Sequence, residues 1–199
     1  MTRLSNRRRF LSQSVCFAAG LAGSSLITST HRAILPSGGT AIAADEKTPE
    51  QRLRQLGITL PPAPQPVAVY VPTVRSGNLL FASGHGPVGA DGKLVTGRVG
   101  SELTLQQGYD AARLTGMVML SSVRAALGNL DRIARLVKVT GMVNCTAAFT
   151  QQPEVVNGFS ELMVQVFGET LGKGARSAVG MGSLPRNIPV EIEAIFETR

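Results

Sequence analysis

The sequence predicts an α+β domain in which a mixed, mostly antiparallel sheet carries two helices packed on one face. Two long segments place apolar residues at helical spacing: Ala111, Leu114, Met117, Leu120, Val123 and Leu127 in the first, Val156, Phe159, Leu162, Met163 and Val166 in the second. The last segment alternates, with Val190, Ile192, Ala194 and Phe196 on one side and Glu191, Glu193 and Glu197 on the other. That is a strand with one buried and one polar face. The polar face of the sheet then needs either water or a partner subunit.

The expected order of elements is β-β-β-α-β-α-β-β. Val67 to Val74 alternates as a strand, and Ser76-Gly77-Asn78 is a turn. Leu79 to Ser83 is a second strand ending at Gly84-His85-Gly86-Pro87, and Ala90-Asp91-Gly92-Lys93 turns into a short return strand, Lys93 to Gly97. Thr104 with Gln107 is a capping box that opens the long helix, and Gly128-Asn129 closes it. Arg135 to Thr146 is β-rich, Pro153 begins the second helix, and Gly172-Lys173-Gly174 leads into a strand that starts at Ala175-Arg176. Leu184-Pro185 lies in the loop to the last strand.

The front of the chain reads as a leader, residues 1–43. It holds Arg3, Arg7, Arg8, Arg9 and Arg32 and no acidic residue. Arg7-Arg8-Arg9-Phe10-Leu11 has the twin-arginine export pattern, an uncharged run from Val15 to Ile27 follows, and Ala41-Ile42-Ala43 is a small-x-small cleavage site. The apolar run is shorter than the roughly 20 residues of a stable span. The expectation is an exported, periplasmic protein with no membrane span once the leader is removed; an uncleaved leader acting as an anchor is the alternative. Residues 44–66 read as peripheral: a short helix opened by Thr48-Pro49-Glu50 and stopped by Gly57, then an extended connector with Pro61, Pro62, Pro64 and Pro66. Residues 67–199 form the domain proper.

Charge and composition exclude several classes. The chain is +7 overall, but five of its 20 Lys and Arg residues lie in the leader, leaving 15 against 13 acidic groups. The net charge is thus a leader effect and not a nucleic-acid footprint, and tryptophan for base stacking is absent. Outside the leader stand one cysteine, Cys145, and one histidine, His85. They allow no internal disulfide and no usual metal ligand set. No Gly-Lys-Ser phosphate loop and no Ser-His-Asp constellation is readable, so no cofactor is expected.

The candidate site lies near the C-terminus. Arg176 on one strand and Glu191 on the next suggest a cation and an anion on neighbouring strands, gripping a carboxylate and a water beside it; the plainer alternative is a cross-strand ion pair of Arg176 with Glu191 or Glu193. His85 sits between two glycines at a strand end, where it either serves a site or stands exposed and idle. Asn157 is a mild misfit inside a helix and asks for a side-chain hydrogen bond.

Over residues 62–199 the chain resembles the Rid family, also called YjgF. The landmarks are Tyr70 before Gly77-Asn78, Ser83-Gly84, Asn157, Ala175-Arg176-Ser177, Leu184-Pro185 and Glu191-Ile192-Glu193-Ala194-Ile195. The resemblance implies a chorismate-mutase-like fold, a homotrimer with its pocket between subunits, and hydrolysis of reactive enamine and imine acids to ketoacids and ammonia. It implies that Arg176 binds the substrate carboxylate, that Glu191 handles the water or a proton, and that Tyr70 closes the pocket from a neighbouring subunit. Gly84 would offer its backbone, and Asn157 would support the pocket. Two positions depart from the family: Ala178 replaces the pocket cysteine, and His85 stands where glutamine is favoured. A binding module for a small carboxylate, without turnover, is the rival reading, and a scaffold or chaperone-like trimer a third. RNA cleavage has been attached to some relatives, but no residue pattern here gives it a mechanism.

Overall fold

The computed structural model describes residues 47–65 and 69–199, so the leader and the start of the expected first strand lie outside the described residues. Five strands form one sheet: β1 (Thr73–Ser76), β2 (Leu79–His85), β3 (Ile133–Asn144), β4 (Ala175–Met181) and β5 (Val190–Thr198). Their order is β1-β2-β5-β3-β4. All pairs are antiparallel except β3 with β4, whose parallel pairing follows from the helical crossover between them.

Helices α2 (Leu105–Leu127) and α3 (Gln152–Phe167) cover one face. Thr104 and Gln107 make the predicted capping box, and Gly128 closes α2 at φ 86°. On β5, Val190, Ile192, Ala194 and Phe196 are buried against the helices, whereas Glu193 is exposed and Glu191 half-buried on the other face. The helices cross closely because Gly158 has no β-carbon; one would collide with the Tyr109 carbonyl of α2.

Several expectations need correction. The return strand at Lys93 to Gly97 does not form. Only an isolated bridge joins Val88 to Leu94, because Gly97 (φ 129°) and Gly100 (φ 87°) turn the backbone away. There the chain bonds instead to the loop before β5 and the end of β3, through Gly97 N–H to Asn187 O (2.8 Å) and Val99 N–H to Asn144 O (2.9 Å). β1 starts only after Pro72, and β3 runs Ile133–Asn144, two residues earlier than expected at each end. A short helix not expected from sequence, α4 (Glu169–Gly172), follows α3. The first helix, α1 (Pro49–Gln55), is not peripheral. Leu53 is buried in the core, and Glu50 takes two hydrogen bonds from Arg124 of α2 (3.0 and 2.7 Å) and one from Leu130 N–H (3.1 Å).

Candidate functional site

Strand order decides how the predicted residues meet. β4 and β5 are consecutive in sequence, but β3 lies between them, so Arg176 and Glu191 are not on neighbouring strands. Arg176 pairs with Val139 of β3, and Glu191 pairs with Met142. Two strand spacings and three residues along β3 put their Cα atoms about 14 Å apart. Val139 is buried against the helices while Met142 is on the other side of the pleat, so the two side chains leave opposite faces of the sheet. The cross-strand ion pair is excluded by the same geometry.

Arg176 projects to the helix face at the sheet edge. Its Nη1 donates to Asn157 Oδ1 (2.8 Å) and to Ser160 Oγ (3.0 Å) of α3. Asn157 thus makes the hydrogen bond that its place in a helix called for. The sequence motifs do not point to Ser160, although its spacing of three residues from Asn157 puts it on the same helix face. One nitrogen thus ties two acceptors, and among the described residues Nε and Nη2 have no partner. The guanidinium stands at a cavity of about 510 Å³ also lined by Glu161, Gln165 and Lys173. Ala178, two residues on, shares this face and packs partly buried against the core.

Tyr70, Gly84, His85 and Glu191 gather elsewhere, around a cavity of about 710 Å³ that also takes in Ser83 and Arg186. The Glu191 carboxylate lies directly over Gly84, where any β-carbon would collide with Oε1. Gly84 sits in an irregularity of β2 between Ala82 and His85, where the register against β5 shifts. Burial, and secondarily the charge of Glu193, push the Glu191 carboxyl above the usual carboxylate range.

His85 is neither exposed nor in a loop. It ends β2, only 4% exposed, with its ring under the sheet against α2. Nδ1 lies 2.6 Å from the Ser83 carbonyl, which can only accept, so Nδ1 carries the proton. Nε2, 2.9 Å from Ser122 Oγ, therefore accepts from the hydroxyl. Burial lowers the imidazole's pKa, and the Ser83 carbonyl opposes that in part. In this form His85 braces the β2 irregularity that presents Gly84.

Residues 50–190 match the family model described as "YjgF/chorismate_mutase-like, putative endoribonuclease". A Trypanosoma cruzi protein, TCP17, is 44% identical over 145 residues, which is 73% of this chain and 91% of that protein. A crystal structure of an Agrobacterium tumefaciens protein of unknown function is 45% identical with a TM-score of 0.69, covering 76% of this chain and 94% of its own. A Shewanella oneidensis structure named a "putative endoribonuclease" is 30% identical, with a TM-score of 0.72 over 76% and 99% of the two chains.

Two outcomes follow from the geometry. Replacing Gly84 by alanine is expected to keep the fold and displace the flexible Glu191 carboxylate toward water. Titration of Glu191 by carboxyl-carbon NMR should then show its raised pKa in the wild type fall back toward about 4.3. The second concerns His85, whose folded pKa lies below its free value of about 6.5. The unfolded chain takes the proton first on acidification, so this contribution to stability is full above about pH 6.5 and falls as pH drops toward the lower folded value. Urea unfolding at pH 7 and pH 5 should show the loss, and His85→Gln should reduce it.

Proposed function

Because the chain belongs to the YjgF/Rid family, we propose that it hydrolyses small enamine and imine acids to ketoacids and ammonia, in a cleft that copies of a homotrimer build together. The observation that carries this reading is the separation of Arg176 from Glu191. Each stands at a cavity of its own, on opposite faces of one sheet, so a ligand touching both takes them from two chains.

In that cleft, the free edge of the Arg176 guanidinium grips the substrate carboxylate as a bidentate fork, held in place by Asn157 and Ser160. The Glu191 facing it from the neighbouring copy takes a proton from water as the oxygen adds to the C=N carbon. The carboxyl returns that proton to nitrogen, then passes the carbinolamine hydroxyl proton to the departing nitrogen as the C=O forms, and ammonia leaves. The upward shift of Glu191 suits a group that must both accept and return a proton. Tyr70 and the Gly84 backbone close the same side. RNA cleavage draws no support from this site: His85, the one histidine among the described residues, has both ring nitrogens engaged within the fold. The second reading, a binding trimer for small carboxylates without turnover, is favoured by one observation: Ala178 leaves a methyl group where the family has a thiol.

With an amino-acid oxidase supplying imines, the purified protein is expected to speed ammonia release, and Arg176→Ala to lower that acceleration at least about 30-fold, roughly 2 kcal/mol. The variant should remain an oligomer by light scattering. Loss of assembly, or unchanged turnover, sinks the role given to Arg176. Carboxylate binding through Arg176 with no acceleration selects the second reading.

We also propose export by the twin-arginine route, which carries folded domains. Among the described residues no helix is long and apolar enough to cross a membrane. In a bacterial host that has this route, Arg7→Lys with Arg8→Lys is expected to retain the uncleaved chain in the cytoplasm. Fractionation with mass measurement of the N-terminus checks it, and unchanged processing refutes it.

A further inference from the structure

The cavity that holds Glu191 has a cation in its wall that the proposed reaction does not use. Arg186 borders the same space as Tyr70, Gly84 and Glu191 and is exposed to it and to solvent. It pairs with no carboxylate among the described residues, Glu191 included. Its backbone is left-handed, φ 55° and ψ 24°, in a turn closed by Ile188 N–H donating to Pro185 O (3.2 Å). Asn187, also at φ 55°, is a residue type that such turns favour; a long unbranched side chain at the preceding position is not. The turn therefore does not account for arginine at 186.

The turn is also fixed from outside. Asn187 Oδ1 accepts from Asn144 Nδ2 (3.0 Å), Asn187 Nδ2 donates to Glu102 (3.3 Å), and Asn187 O accepts from Gly97 N–H (2.8 Å). Three residues outside the turn thus hold the residue after Arg186, while the guanidinium itself has no partner among the described residues. A cation presented this way at a cavity wall, opposite a carboxylate that does not neutralise it, is a reader of negative charge on a ligand.

We propose that Arg186 is a specificity residue that selects ligands bearing a second anionic group, the imines and enamines of diacids and their dicarboxylate products. This rests on the reading of Arg176 as the clamp for the first carboxylate. One anionic group goes to the Arg176 fork, and the second, at the far end of the ligand, goes to Arg186 on the side that carries Glu191.

Calorimetric titration of the full chain with succinate and with propionate tests it. The expected result is tighter binding of succinate, weakened about tenfold in Arg186→Gln and largely restored in Arg186→Lys, with propionate unchanged in both. Arg176→Gln should weaken both acids. Equal affinity for the two acids, or an Arg186→Gln effect of the same size on both, overturns the proposal and leaves the Arg176 clamp standing. Binding of neither acid by the wild type overturns the clamp and this inference together.

Discussion

The insertion of β3 between β5 and β4 is the constraint on which the rest of this structure depends. A parallel pair needs a crossover long enough to hold a helix, and α3 is that crossover. Because α3 then lies over β4, Asn157 and Ser160 reach Arg176 and set the direction of its guanidinium. Because β5 is displaced inward, its polar side faces away from α3, and Glu191 emerges beside Gly84 of β2. One topological choice places the cation at the sheet edge and the carboxylate on the opposite face.

The two groups are prepared in different ways. Arg176 keeps its charge through two neutral acceptors on a single nitrogen, which fixes the fork without neutralising it. Glu191 is the reverse case: it is partly stripped of water, has Glu193 nearby, and receives no hydrogen bond among the described residues. The folded chain pays for an ionised carboxylate there. Gly84 makes the arrangement sterically feasible, and His85 makes it rigid, with its two nitrogens tying the β2 irregularity to its own strand and to α2. The histidine's contribution is then to geometry, and its burial keeps it neutral for that purpose.

What the sequence could show follows from the range of each interaction. The α2 capping box and the alternation of β5 are local, and both appear where the residue pattern put them. The α+β class and family are carried by the same periodicities. Strand order is a non-local property, so consecutive Arg176 and Glu191 strands read as neighbours although β3 separates them. The segment Lys93 to Gly97 reads as a strand by composition, but two glycines at positive φ redirect it. His85 reads as a loop residue because its partner Ser122 lies 37 positions away, and α1 reads as peripheral because Glu50 meets Arg124 and Leu130 only through the fold. Ser160 was within reach of a spacing argument from Asn157.

An isolated chain leaves both halves of this site unfinished in complementary senses. Among the described residues, the Nε and Nη2 donors of Arg176 have nothing to bind, and the Glu191 carboxylate has acceptors with no donor. Burying either alone costs free energy, and neither can relieve the other across the sheet. A second copy that brought the two faces together would enclose a cation, an anion and the space between them. Charge recognition and proton transfer would then depend on assembly itself, since the distance within one chain is fixed by the strand order and not by any side-chain rotation.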